Sequence, residues 1–405
     1  MTRTEIVPKR VKIAALVIFS SYLTGNVAIG AEEMVLTLPD AINIALEQNI
    51  GLQRTAVQVD LDKNSLKSAK GDKKPNLVLT GSENISLDAT GNDSIWEDEG
   101  DWSDSLRATL SSSVSLYDGG GIEASIREAE AALMAAQNDY DRDRQALLLN
   151  TVTRFLEIIV REKQVEIREE ELANQAEELE RIRLNFRNGI RVRTEVLRQE
   201  ALMAQSKGRL IESKRIFETS MYILKDILKI PADISIRCSD PANTLNVVED
   251  VNLPNMSMSL ASLDQRLDLE AQRNRLVSAK ESVEVAKSGG RISVSASASL
   301  STNYSHSGKG GAFAERLVRT EPNASAGISF NLPIFDRDRT ETNIIRSQLI
   351  MRREELIYDN LEQIARTDLY QSFLNFESAK AQLETAVEQL ASAEEALKAE
   401  LARYE

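Results

Sequence analysis

The 405-residue chain carries 63 Asp and Glu against 49 Lys and Arg, a net charge of −14, and 5% aromatic residues. An acidic balance with no basic patch excludes nucleic acid as a partner, and a single cysteine, Cys238, excludes a disulfide within the chain. Plentiful charge with few aromatics fits long solvated helices better than a large globular core.

Residues 1–30 have the make-up of a secretory signal peptide. Lys9, Arg10 and Lys12 form a basic start, Ile13 to Phe19 an apolar core, and Ala28, Gly30 and Ala31 supply small residues for cleavage near Ala31 or Glu32. About ten apolar residues are too few to span a bilayer. No cysteine follows the cleavage region, which excludes a lipoprotein, and nothing downstream approaches a transmembrane helix. Any entry into a membrane is therefore expected through strands.

The mature chain opens with a helix predicted over 38–70, with Ala41, Ile42, Ala45 and Leu46 on its apolar face and Pro75 beyond its end. From 76 to 90 the odd positions Leu77, Leu79, Ile85, Leu87 and Ala89 alternate with polar residues, the period of a strand. An acidic loop with Trp96 and Trp102 leads to a second strand over 104–117, in which Leu106, Ala108, Leu110, Val114 and Leu116 alternate with Arg107 and serines. Each strand is long enough to cross a bilayer at a tilt, which takes about 9 to 11 residues.

A helical hairpin is predicted over 118–229, broken once at Asn188-Gly189. Its apolar residues step by three and four, as in Leu148, Val152, Phe155 and Ile159, and no proline interrupts it before Pro231. The first arm, roughly 65 residues, spans roughly 100 Å at about 1.5 Å per residue. Residues 231–256 read as a polar linker holding Cys238, an isolated thiol. The pattern then returns: a helix over 260–287, a strand over 291–304, a Gly-rich loop with Lys309, Arg316 and Arg319, a strand over 323–334 and a helix over 336–405. His306 reads as a solvated residue of that loop.

The return is a duplication. A shift of 218 places Tyr117-Asp118 on Phe335-Asp336, Glu123 on Glu341 and Phe155-Leu156 on Phe373-Leu374. The organisation expected is a signal peptide 1–30, a first repeat 31–230, a linker 231–256 and a second repeat 257–405. By the same shift Tyr404 matches Phe186, so the second repeat is expected to lack its turn and returning helix. The apolar seam of Leu383, Val387, Leu390, Leu397 and Leu401 is then left uncovered, and a chain of this extent is expected to assemble poorly or leak. Four strands cannot close a barrel, and open edges are not tolerated in lipid. A cyclic oligomer is the simplest closed solution.

The duplicated plan resembles the TolC-like outer membrane efflux proteins over essentially the whole mature chain. The resemblance rests on Leu38 to Leu46 opening the first unit and on the strand-to-helix junction Ser115-Leu116-Tyr117-Asp118-Gly119-Gly120, echoed by Leu332-Pro333-Ile334-Phe335-Asp336. It rests also on the turn Phe186-Arg187-Asn188-Gly189 followed by Thr194-Glu195-Val196-Leu197. It implies an α+β membrane protein, with four transmembrane strands per chain pooled into a trimeric twelve-stranded β-barrel. An α-helical coiled-coil tunnel would continue the barrel across the periplasm. It implies an export subunit in the outer membrane of a Gram-negative envelope, serving efflux of small molecules or type I protein secretion. Its partners are two further copies, outer membrane lipid, a periplasmic adaptor and an inner-membrane pump. Phe186, Asn188, Gly189, Val192 and Thr194 would form the tip that meets the adaptor, and Glu195 an acidic position at the tunnel entrance. A carboxylate that simply favours a helix N-terminus is the plainer reading of Glu195.

No phosphate loop, catalytic triad or metal-ligand spacing stands out, and Gly119-Gly120-Gly121 reads as a joint. No enzymatic activity, cofactor or metal is expected. The competing readings are a periplasmic adaptor-like protein, a coiled-coil scaffold or a non-functional fragment of the channel. The duplicated membrane-length strands weigh against the first two.

Overall fold

The computed structural model describes residues 34–88, 101–239, 260, 263–307 and 321–403. The region 1–30 and Trp96 lie outside them. In chain order the elements are β1 (Met34–Leu36), α1 (Leu38–Gln48), α2 (Ile50–Gly71), β2 (Val78–Asp88), β3 (Asp101–Tyr117), α3 (Gly121–Arg187) and α4 (Arg193–Leu228). They continue with β4 (Ile236–Cys238), a 3-10 turn (Leu263–Gln265), α5 (Leu267–Ser288), β5 (Ser293–Ser307), β6 (Glu321–Asn331) and α6 (Arg339–Leu401).

The chain packs as two compact units that do not coincide with the two sequence repeats. One joins Met1–Asn49 to Leu148–Val248, the other Ile50–Leu147 to Glu249–Glu405. A repeat records ancestry of sequence, whereas a compact unit records which apolar faces meet: the first repeat is divided between the two units and the second falls in one.

In the first unit Asn49 divides the helix expected over 38–70. Asn49 takes an extended ψ of 116° while its N–H still bonds Ala45 O. Its side-chain amide donates to Ile227 O at 3.4 Å. Thr37 caps α1, its hydroxyl oxygen accepting from the Asp40 N–H at 3.3 Å. The stretch expected as a linker also folds. Ile236, Arg237 and Cys238 pair in parallel with Met34, Val35 and Leu36. Cys238 is thus a free thiol buried in a strand and not part of an irregular linker. Burial, helped by the charge of Glu162, pushes its thiol up to about 12. Three-residue strands are too short to show a period, so the sequence carries no mark of them. Leu36, Phe155, Ile158, Leu224 and Leu228 are fully buried in this unit.

The second unit holds a four-stranded antiparallel sheet in the order β2-β3-β5-β6. Its strands are 11, 17, 15 and 11 residues long. β3 and β5 pair continuously from Ser103↔Ser307 to Ser115↔Ser295, with one irregularity before Tyr117. β5 runs past its expected end, so His306 is a strand residue opposite Asp104 and not part of a loop. In the same unit Leu263, Leu269 and Ala365, from the 3-10 turn, α5 and α6, form a small core, with Leu260, Tyr358, Leu361 and Leu369 against it. Elsewhere the helices bury alanines, among them Ala124, Ala131 and Ala135. Such small side chains let neighbouring helices come close.

Candidate functional site

Three features of the described residues are candidates for function: the turn between the long helices, the joints between strands and helices, and the faces of the sheet. At the turn, α3 ends in a Schellman motif. The Gly189 N–H bonds Phe186 O at 3.0 Å and the Ile190 N–H bonds Asn185 O at 2.9 Å. Gly189 sits at φ +76° with nothing within 4 Å of a would-be Cβ. Its conformation, not its size, is what the turn requires. Val192 precedes α4 and provides no side-chain cap.

The predicted tip residues are brought together here, and Phe186, Asn188, Gly189, Val192 and Thr194 are all exposed. Glu195 is in the first turn of α4, and Arg191 Nη1 donates to its carboxylate at 3.0 Å. Its charge is therefore partly matched by its own neighbour. Arg183 bridges the two helices by bonding Glu180 and, across the turn, Glu200 at 2.7 Å. The expected docking set does not include Leu184, Ile190 and Leu197. Like Phe186 and Val192 they are exposed apolar side chains at or near the turn, Ile190 being 69% exposed.

The helices below the turn are joined through polar contacts. Gln199, buried, donates to Gln175 Oε1 at 2.7 Å. Glu171 accepts from Ser206 and Arg209, and Lys214 pairs with Glu169 at 2.7 Å. Glu171 is held below the usual carboxylate range, chiefly by the hydrogen bond from Arg168.

At the first joint Asp118 receives the N–H groups of Gly120 and Ile122 at 3.2 and 2.5 Å, so it starts α3. Gly119 and Gly120 have φ of +76° and +88°. A Cβ on Gly119 would lie 2.7 Å from that of Arg291, whose guanidinium donates to Gly119 O at 2.8 Å. The second joint repeats the aspartate but not the glycines. Asp336 accepts from the Thr340 N–H at 2.8 Å, and its carboxyl is held below the usual range by that threonine. Arg337 and Asp338 take φ of 57° and 61° there.

The apolar face of the sheet is uncovered. Leu79 is 73% and Phe330 79% exposed, and no helix lies over them among the described residues. β2 and β6 are its open edges. A cavity of about 550 Å³ within the same unit is lined by alanines and by Glu128, Asp139 and Arg275, the last two ion-paired. Burial raises Glu128 and Asp139 above the ordinary carboxylate range. No group of three or more metal-ligating side chains occurs among the described residues, and no described helix is long and apolar enough to cross a membrane.

The profile of the outer membrane efflux protein family matches residues 41–221 and 260–405, well over half the chain. The chain belongs to the outer membrane efflux protein family. Its fold agrees with solved structures. CusC, described for transmembrane channel formation, superposes with a TM-score of 0.74 at 16% identity, covering 91% of this chain and 82% of CusC. The outer membrane protein VceC of Vibrio cholerae gives 0.72 at 18% identity, covering 91% and 85%. The CmeC outer membrane channel of Campylobacter jejuni gives 0.66 at 19%, covering 85% and 73%. No curated protein sequence matches the chain. The family is one of channels and not of enzymes. That membership gives the turn, the joints and the sheet one setting: a mainly helical efflux protein with a smaller sheet.

Proposed function

We propose that the chain is one subunit of a trimeric export channel in the outer membrane of a Gram-negative cell envelope. The observation that carries this is the four-stranded sheet with an apolar face uncovered and both edges open. An isolated sheet of that kind is unsatisfied in water and in lipid alike. Two further copies would pair the edges of β2 and β6 and give twelve strands around a lumen, with the apolar faces turned to lipid. The helices follow the strands within a few residues, at Gly121 and Arg339, and would continue the wall into the periplasm.

In this reading the turn is where a periplasmic adaptor docks, coupling the channel to an inner-membrane pump. Phe186, Asn188, Gly189, Val192 and Thr194 provide an exposed apolar and amide surface, and Glu195 stands at the tunnel entrance. Its contact with Arg191 weakens any cation preference that three copies would confer. Efflux of small molecules or secretion of a polypeptide is the transport function, and no chemistry is required of the chain.

Expression with the signal region in a Gram-negative host lacking its own channel tests the proposal. The expected result is a heat-modifiable trimer on unheated gels of the outer membrane fraction. A soluble or monomeric periplasmic product would overturn it and favour a scaffold.

A further inference from the structure

Two offsets relate the repeats within the second unit. α2 (Ile50–Gly71) and α5 (Leu267–Ser288) are both 22 residues long and lie 217 residues apart at each end. α3 and α6 begin 218 residues apart, at Gly121 and Arg339. Carrying β2 forward by the first offset and β3 by the second reproduces the other hairpin. Val78↔Ser111 becomes Ser295↔Ser329, Thr80↔Thr109 becomes Ser297↔Gly327, and Ser82↔Arg107 becomes Ser299↔Ser325, each a pair of the second hairpin. The duplication therefore holds residue by residue in the strand register.

The seam between the repeats is β3 with β5, in which Ser111 faces Ser299 and Ser112 faces Ala298. The open edges occupy the same two places in the plan, β6 answering to β3 and β2 to β5. The same offsets carry the inner seam to these edges. Ser111↔Ser299 becomes Ser329 opposite Ser82, and Ser112↔Ala298 becomes Phe330 opposite Gly81. β6 and β2 are the two outer strands of one sheet, so this seam joins separate copies, and a head-to-tail contact of that kind can close into a ring.

We propose that β6 of one copy pairs antiparallel with β2 of the next in this single register, Ser329 against Ser82 and Phe330 against Gly81. The proposal rests on the channel reading above and names the contact by which its copies close. The chemistry of the second pair supports the register independently of the offsets. Phe330 is 79% exposed, and a Cβ on Gly81 would meet nothing within 4 Å. The backbone of Gly81 is not left-handed, so no turn calls for glycine there. In the proposed register the Phe330 ring lies over the bare backbone of Gly81, the arrangement by which an aromatic side chain across a strand pair offsets the contacts glycine lacks. A slip of one residue would bring the serine-bearing face of one copy level with the apolar face of the other. A slip of two keeps the faces but moves Phe330 off Gly81 and onto Leu79 or Glu83.

Cysteine pairs in the full chain test the register. Directly opposed Cα atoms lie about 4.5–5.5 Å apart and diagonal ones about 7–8 Å, against an upper limit of about 7 Å for a disulfide. Cys238, buried and with its thiol pushed up to about 12, does not compete. Ser111→Cys with Ser299→Cys, the template pair, is expected to form a disulfide within one chain. Ser82→Cys with Ser329→Cys is expected to form one between chains, giving covalent dimers and trimers on non-reducing denaturing gels. Thr80→Cys or Asn84→Cys, each combined with Ser329→Cys, is expected to stay largely monomeric on the same gels. A cross-link that favours Thr80 or Asn84 overturns the register and leaves the channel reading intact. A trimer on unheated gels with no inter-chain disulfide from any of the three pairs, while the template pair forms its own, overturns the pairing of β6 with β2. Absence of a trimer from the parent chain overturns the channel reading, and the inference with it. Phe330→Ala is expected to lower the temperature at which the trimer dissociates, and to lower it less in a Gly81→Val background, where no bare backbone is left to cover. Equal losses in the two backgrounds overturn the contact of the ring with Gly81.

Discussion

Leu179 and Leu397 occupy the same position of the repeated plan, 218 residues apart, yet Leu179 is 2% exposed and Leu397 61%. Leu172 and Leu390 are likewise equivalent, and Leu390 is exposed. The first arm, on α3, is covered by α4, which Gln199, Ser206, Arg209 and Lys214 tie to it. The second arm, on α6, has no returning helix among the described residues. The two helices are similar in length, 67 and 63 residues. An apolar stripe is thus an offer of a contact, and its contribution to stability depends on whether a partner accepts it.

The joints differ in the opposite sense. Both repeats start a long helix from an aspartate, Asp118 or Asp336. The first has glycines at its two left-handed positions, and the second has Arg337 and Asp338. A side chain there costs about 1–2 kcal/mol per residue through the clash of Cβ with the backbone. The second repeat therefore holds strain that the first avoids.

The sharpest break of the comparison is large-to-small substitution at the paired leucines. Leu179→Ala is expected to destabilise by about 2–5 kcal/mol, the range for a buried Leu in a packed site. Leu397→Ala is expected to change stability by no more than about 0.5 kcal/mol, as at an exposed surface position. Thermal or chemical unfolding of both variants measures this, and equal losses would mean that Leu397 is covered in the protein as it assembles. The polar seam of the first arm comes next. Gln199→Leu leaves Gln175 without its partner and is expected to cost about 1–3 kcal/mol. Replacing both Gln175 and Gln199 with Leu is expected to recover most of that loss, and a double variant no better than the single would contradict the pairing. The smallest effect belongs to the joints. Arg337→Gly is expected to stabilise by about 1 kcal/mol by relieving the positive φ, partly offset by the freedom glycine gains when unfolded. A loss on introducing glycine would show that Arg337 makes a contact worth more than the strain.

Much of the fold was legible because it is written in short periods. Alternation through Leu106 to Leu116 and through Val294 to Leu300 sets the strands, and spacing of three and four sets the helices. The turn was legible for a similar reason, since Asn188-Gly189 interrupts an otherwise unbroken helical pattern. The break at Asn49 was not. Gly51 stands two residues on but lies inside the next helix, and the side chain at the bend itself finds its acceptor on Ile227, 178 residues away. The pairing of Met34–Leu36 with Ile236–Cys238 was hidden likewise. Ile190 was passed over because sequence alone does not distinguish an apolar residue that is covered from one that is not.

By itself the sequence determined the long strands and helices, the duplication and the alternation of faces along them, since all of these follow from local periods and from one register shift. It determined the kinship too, because order and spacing persist where identity to the solved structures has fallen to 16–19%. Only the tertiary structure decided which stripes are covered, which residues make up each compact unit and which rows the strands form. Those depend on contacts between residues far apart in the chain. Arg107 shows the division: its alternation with apolar neighbours is local, but its place among Ser82 and Asn303 exists only once three strands lie side by side.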